Sequence, residues 1–340
     1  YTDGLIAPVI TGDVDLGTNL LRFGTVYADV VNAPAIVSDS ITVGTVPLSS
    51  DAVGNQWWGD TALDSLTSGT NNIAIGKQTG TAISSGIYNT LLGQGAGASI
   101  TIGGNNTAIG ALALDAVAAA GQNTAVGYQS LSTSTASSLT AVGYQALKAN
   151  TSGVWNTAIG TQAGFANVTG ANLTALGHKA GYSQAGATDD NNTWVGYLSG
   201  SAANGASAGG NTGVGSNSLS SLTTGIYNTA LGYQSLNSQT TLSESVAVGA
   251  YAGTTTTARV TAIGGYALQN NSTGIDNTAV GYGAMTANTS GLSNTAVGVT
   301  AGNAQAGATD DNNTWVGYRA GKVANGSSLG RNTAVGSSAG

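Results

Sequence analysis

The chain has 340 residues, of which only 7% are charged, and its formal net charge is −7 with eight Lys and Arg residues. So few basic residues form no basic patch, which argues against nucleic acid and anionic membranes as partners. There is no Cys for a disulfide framework or a thiolate metal site. The sequence contains no run of about 18 apolar residues, so we predict no segment inserted in a membrane.

Residues 1–38 do not follow the repeat that governs the rest of the chain. Within them, Asp15–Asp29 has the pattern of two short strands around a turn. We expect residues 1–38 to form a separate, adaptor-like segment at the N-terminus.

Residues 39–70 form a transition into the repeat. Ile41–Gly44 and Gln56–Gly59 fit the repeat imperfectly, with a shortened step from Gly44 to Gly59 and a full repeat length from Gly59 to Gly76. Because terminal repeats of solenoids are usually atypical, we interpret these two stretches as capping coils.

From residue 71 to residue 340 a short block ending in glycine recurs sixteen times. The form Asn-Thr-Ala-(Val/Ile)-Gly occurs at Asn123–Gly127, Asn156–Gly160, Asn277–Gly281, Asn294–Gly298 and Asn332–Gly336. The period is about 17 residues, and a period this short, held over so many copies, predicts a solenoid. We call the last residue of each block the corner glycine.

Fixed columns precede the corner glycine. The residue before it is always Ile, Leu or Val, Ala stands two before in twelve blocks, and Thr stands three before in fourteen. Because successive strand residues face opposite sides, Thr and the aliphatic residue share one face and Ala lies on the other. We expect the aliphatic column to line the interior, so that Val126→Asp would disrupt the core. The Ala column would then form a flat contact face for three-fold association.

These columns predict an all-β fold, a parallel β-solenoid or β-roll of about 16–18 rungs of ~17 residues that assembles as a homotrimeric fibre. Each coil would contain two short strands, the first of the type Asn-Thr-Ala-Val and the second of the type Tyr-Gln-Ala-Leu. Sixteen coils at ~4.8 Å each would give a rod about 77 Å long.

A longer period of 121 residues, or seven coils, lies above the short one, because Gln184–Tyr197 returns almost unchanged at Gln305–Tyr318. Candidate contact residues lie in these wide coils: Asp189, Asp190, Trp194, Tyr197, Asp310, Asp311, Trp315 and Tyr318. One interpretation is a Ca²⁺ site or a glycan platform with Trp as the stacking plane. The other is a solvated acidic turn, with the Trp filling a wider coil.

No group of residues in the sequence has the pattern of a catalytic site. His178 is the single His and occupies a column that elsewhere holds Tyr, and Glu244 is the single Glu. The Tyr residues just after the corner glycine would form an aromatic stripe for sugars if they point outward, or would pack against loops or a neighbouring chain. We therefore predict no enzyme, no cofactor and no catalytic or metal residues.

The Asn-Thr-Ala-(Val/Ile)-Gly block resembles the head repeats of trimeric autotransporter adhesins, which are left-handed parallel β-rolls. The longer form of the repeat, carried by Gly225–Leu236 and Asn277–Gly298, resembles repeats of phage tail fibres. Asp15–Asp29 resembles a segment common in such fibres, with Leu-Gly, Asn, Phe-Gly and Tyr-Ala at matching positions.

The resemblance implies a homotrimeric structural fibre on the outside of a virion or cell, with a surface glycan or receptor as a partner. We expect a phage tail fibre that mediates host attachment. The alternative is a bacterial cell-surface or extracellular filament adhesin. An ice-binding solenoid is less favoured, because the Thr column is expected to point inward with the aliphatic column.

Overall fold

The computed structural model describes residues 40–43, 46–184, 190–203, 208–238, 240–303, 311–321 and 330–340. Strands and turns make up these residues, and no helix occurs among them. The two strands expected within Asp15–Asp29 lie outside the described residues.

The described strands are, in chain order, β1 (Ser40–Val43), β2 (Val46–Ser50), β3 (Gln56–Trp58), β4 (Ile73–Ile75), β5 (Thr90–Leu92), β6 (Thr107–Ile109), β7 (Thr124–Val126), β8 (Thr140–Val142), β9 (Thr157–Ile159) and β10 (Thr174–Leu176). They continue as β11 (Thr193–Val195), β12 (Thr212–Val214), β13 (Thr229–Leu231), β14 (Val246–Val248), β15 (Val260–Ile263), β16 (Asn277–Val280), β17 (Thr295–Val297), β18 (Thr314–Val316) and β19 (Thr333–Val335).

Strands β3 to β19 form one parallel sheet in which each strand pairs with the next along the chain. The register aligns like residues, with Thr124 beside Thr140, Ala125 beside Ala141 and Val126 beside Val142 in the β7–β8 pair. The predicted parallel β-solenoid is therefore confirmed.

An antiparallel hairpin precedes the parallel strands. Strand β1 pairs antiparallel with β2, and β2 pairs antiparallel with β3. Gln56–Trp58 begins the parallel series by pairing with β4. Ile41–Gly44 was expected to be a coil of the solenoid, but Ile41–Val43 lie in β1 of the antiparallel hairpin. Strand β2 of that hairpin covers the edge of β3. An edge strand needs such a cover because its backbone groups are otherwise unpaired.

The prediction of which strand face points inward was wrong. Ala125 is 0% exposed, whereas Leu231 of the aliphatic column is 47% exposed. The coil interior is narrow and is already filled by Leu side chains four residues after the corner glycine, such as Leu114 and Leu131. Only a small side chain fits opposite them, so Ala points inward and the larger Thr and aliphatic residues point outward.

The second predicted strand of each coil is a turn. Residues two and four after the corner glycine have left-handed backbone angles, as Gln129 (φ 54°) and Leu131 (φ 51°) do. Hydrogen bonds still join the coils here, since Leu131 N donates to Ala146 O at 3.1 Å. The chain thus keeps the coil-to-coil bonding of a sheet while it curls too tightly for extended strands.

The corner itself requires glycine. Gly127 has φ +126°, and a Cβ built on it would lie 2.5 Å from Gly143 O in the next coil. Both the left-handed angle and the close backbone approach exclude a side chain. The corner glycines therefore set the distance between successive coils.

A ladder of buried asparagines runs along the interior, four residues before the corner glycine. The Asn72 N–H and Nδ2 donate to Asn55 Oδ1 at 2.9 and 3.0 Å, and Nδ2 also donates to Gly86 O at 2.8 Å. Asn89 repeats the pattern on Asn72 and on Gly103 O. Each such side chain thereby satisfies an N–H and a carbonyl of the following coil and bonds the Asn side chain of the preceding one.

Replacing Asn89 by alanine is expected to lower the free energy of unfolding by about 1–3 kcal/mol, because the Gly103 carbonyl and the Asn106 N–H lose a buried partner. Urea unfolding followed by circular dichroism measures the change. Gln94→Ala, at an exposed position after a corner glycine, is the control and should leave the midpoint unchanged. Equal urea midpoints for the two variants would show that the asparagine ladder does not contribute to stability.

Candidate functional site

The two tryptophans of the wide coils lie in the core. Trp194 is 0% exposed and Trp315 is 1% exposed, so the interpretation of a stacking plane for sugars was wrong. Each ring occupies space that neighbouring glycines leave free. A Cβ on Gly200 would lie 2.2 Å from the Trp194 ring, and a Cβ on Gly321 would lie 2.2 Å from the Trp315 ring. The tryptophans therefore fill the wide coils, as the alternative interpretation had it.

The aspartates beside them bind backbone of the preceding coil. Asp190 Oδ1 accepts a hydrogen bond from Ala171 N at 2.6 Å, and Asp311 Oδ1 accepts one from Leu292 N at 2.7 Å. Asp189 and Asp310 lie outside the described residues. Within the described ranges no three His, Asp or Glu side chains come close enough to form a metal-binding group. Asp190 and Asp311 thus link one coil to the next, which accounts for their place in the wide coils.

Tyr197 and Tyr318, the remaining predicted contact residues, are on the surface with 52% and 47% of their area exposed. Aromatic rings in this column pack against rings of the next coil: Tyr128 on Tyr144 at 5.8 Å, and His178 on Tyr197 at 5.5 Å between centroids. Because stacked rings cover each other's faces, the outward surface of these pairs consists mainly of ring edges.

The outward face of the sheet is a long uncharged surface. We call it the Thr–aliphatic strip, formed by the residues one and three positions before each corner glycine in β4 to β19. Its more exposed aliphatic members are Ile75, Leu92, Ile109, Ile159, Leu176, Leu231, Ile263, Val297, Val316 and Val335. At ~4.8 Å per strand the strip is about 77 Å long, and two outward residues make it about 10 Å wide. Its aliphatic half alone is therefore a continuous apolar patch of about 400 Å², a size that is often functional on a protein surface.

One edge of this strip carries an ionic ladder. Arg259 donates to Asp276 Oδ1 at 2.7 Å in the following coil and to Glu244 Oε2 at 3.2 Å in the preceding coil. The hydrogen bond from Arg259 holds the pKa of Asp276 below its ordinary value. The contribution of this exposed pair to stability is present at neutral pH and is lost as the pH falls through that lowered pKa. A groove of about 270 Å³ lies beside the ladder, next to Thr261 and Thr278.

A second surface cluster combines lysines with stacked rings and was not recognised from the sequence. Lys148, Phe165 and Tyr182 each stand five residues after a corner glycine in three successive coils, and Phe165 stacks on Tyr182 at 5.1 Å. Lys179 lies over the Tyr182 ring. The one sequence signal was the spacing of positions 148, 165 and 182, which follow one another at one repeat length.

No protein-family model, no curated protein and no solved structure matches the chain. Across the described ranges, no helix has the length and apolar character needed to cross a membrane.

Proposed function

We propose that the chain is the structural shaft of an extracellular fibre, of the kind found in phage tail fibres, and that it assembles as a homotrimer through the Thr–aliphatic strip. The single observation that carries the proposal is the exposure of this uncharged strip along the whole sheet. A surface of about 77 by 10 Å approaches the ~800 Å² per partner that a stable interface buries. Covering it would remove a continuous column of Val, Ile and Leu side chains from water.

Association along the sheet also fits the repeat. Nearly every coil presents a Thr and an aliphatic residue outward at the same spacing, so copies that share an axis make similar contacts at each coil. Contacts that are weak in one coil then add along the length of the shaft. The resemblance to trimeric β-rolls favours three copies, and a virion or cell surface is the location that we propose, with a surface glycan or receptor as the attachment partner.

Size-exclusion chromatography with light scattering tests the assembly. The wild-type chain is expected to have three times the 33.1 kDa mass of one copy. Val126→Asp with Val142→Asp should give a folded monomer, because two rings of like charges would be buried at the interface. The matched control is Thr161→Asp, at an exposed position beyond the corner glycine. A monomeric wild-type chain at micromolar concentration would overturn the proposal, as would compact single globules in negative-stain images.

The outward Thr column favours a second candidate function, binding to ice. The reason against it that the sequence suggested was wrong, because Thr124, Thr140 and their equivalents lie on the outer face and not in the core. A parallel sheet with Thr at fourteen of the sixteen repeat strands presents hydroxyl and methyl groups in a nearly regular array. Thermal hysteresis at micromolar concentration, lost in a Thr124→Tyr and Thr157→Tyr variant, would establish this function. The same face cannot serve both functions at once, so a trimer without thermal hysteresis favours the fibre.

A further inference from the structure

The cluster of Lys148, Phe165, Tyr182 and Lys179 has a geometry that the solenoid itself does not require. Phe165 and Tyr182 stack with 8° between their planes. The Lys148 Nζ lies 6.0 Å from the Phe165 centroid, and the Lys179 Nζ lies 5.3 Å from the Tyr182 centroid. Two ammonium groups are therefore held near a pair of rings, where cation–π attraction restrains the flexible lysine side chains.

The charge around this cluster differs from that of the rest of the chain. The whole chain has a net charge of −7, yet no Asp or Glu occurs between Asp115 and Asp189. Among the described residues the ion pairs involve Lys77 and Arg259, and neither Lys148 nor Lys179 takes part in one. Both positive charges are thus available to a ligand.

The cluster also lies away from the proposed interface. Its four residues come after the corner glycine, in the turn segment of their coils, whereas the Thr–aliphatic strip comes before that glycine. All four side chains are partly exposed. A ligand can therefore reach them when the strip is covered by other copies.

We propose that this cluster binds an acidic saccharide. The two ammonium groups would bind carboxylate, sulfate or phosphate groups of the sugar, and the exposed edges of the stacked rings would supply apolar contacts for its C–H groups. Charge complementarity selects an anion, and the combination with aromatic carbon favours a sugar over a bare ion. The proposal deepens the proposed attachment function and rests on it for its biological setting.

Retention on immobilised polymers tests the proposal. Polygalacturonate supplies carboxylates, dextran sulfate supplies sulfates, and neutral dextran is the reference. The wild-type chain is expected to bind at least one acidic polymer more tightly than dextran, and the binding should weaken as salt screens the charges. Retention on one acidic polymer only would identify which anion is preferred. Equal retention on all three polymers, or on none, would overturn the proposal.

Lys148→Gln with Lys179→Gln should reduce that affinity about fivefold or more, because two exposed charge contacts are lost. Tyr182→Leu should reduce it as well while leaving both charges in place. The matched control is Lys77→Gln, which removes a lysine that pairs with Asp60 at 3.8 Å. Unchanged affinity in the double lysine variant would overturn the assignment.

Light scattering on the same samples separates this proposal from that of the fibre. The double lysine variant should keep the mass of the wild-type assembly, since neither lysine lies on the strip. A monomeric chain whose retention depends on the two lysines would contradict only the fibre. A trimer that binds no acidic polymer would contradict only the saccharide site.

Discussion

Ala125→Asp is expected to unfold the coils around β7 and to cost about 3–5 kcal/mol, because it places a charge without a partner in a fully buried position. The neighbouring residues of β6 and β8 at this level are also buried alanines, Ala108 and Ala141, so no side chain there can neutralise the carboxylate. Since each coil contacts mainly its neighbours, the loss should be greatest in the adjacent coils. Hydrogen exchange of the amides in β6 to β8, together with urea unfolding, measures both its size and its extent.

Val126→Asp is the matched control, one residue further along the same strand. It places the same charge on the outer face, outside the core of the coil, so the protection of the amides in β7 should persist even when the proposed assembly dissociates. From the sequence alone we expected this substitution to be the disruptive one. Loss of protection in Val126→Asp, with protection retained in Ala125→Asp, would reverse the assignment of the two faces.

The period and the alternation of the repeat were sufficient to predict the parallel solenoid and its register. Thr124, Ala125 and Val126 had to alternate in a strand, and identical coils had to place like residues side by side. Hydrophobicity alone then pointed to the wrong interior, because Val126 is more apolar than Ala125. The deciding quantity was volume, since Leu114 and Leu131 from the turn segments already occupy the interior. The filling of the interior by Leu131 was not foreseen from the sequence, because Leu131 was assigned to a strand and not to a left-handed turn.

The tryptophans show the same effect of volume. In some coils a large residue replaces Ala two positions before the corner glycine. In each of these coils, and in the coil before it, the residue four positions after the corner glycine is also glycine. Leu91 lies between Gly80 and Gly97, Trp194 between Gly181 and Gly200, and Trp315 between Gly302 and Gly321. The pairing of a large residue in the Ala column with glycines in the turn segments can be recognised in the sequence once the Ala column is known to point inward. Without that knowledge, Trp beside Asp had the pattern of a surface site.

The cluster at Phe165 and Tyr182 was missed for a different reason. Its residues depart from the repeat at a position where the repeat has no consensus, so nothing marked them as interruptions. Their relation is a distance along the stack of coils, and only the structure brings Lys148 and Lys179 onto the two rings. Recognition residues of a solenoid are found by following one column across coils, because side chains one repeat apart in the chain are neighbours in space.

Trp194→Ala is expected to lower the free energy of unfolding by about 3–5 kcal/mol, because removing a fully buried indole leaves a large cavity. The surroundings cannot close over it easily, since Gly181, Gly200 and Gly213 contribute no side chains that could move into the space. Trp194→Leu should recover part of the loss, because Leu91 fills the equivalent position between two glycines. Urea unfolding followed by circular dichroism and tryptophan fluorescence measures the series.

The chain offers a matched control in Trp155, which is 65% exposed and lies in a left-handed turn. Trp155→Ala removes the same side chain from the surface, and its effect should stay within about 0.5 kcal/mol. A glycan platform at Trp194 would predict the opposite pattern, with stability unchanged and binding lost. Equal midpoints for Trp194→Ala and Trp155→Ala would therefore contradict a core packed around Trp194, since packing is the property in which the two tryptophans differ.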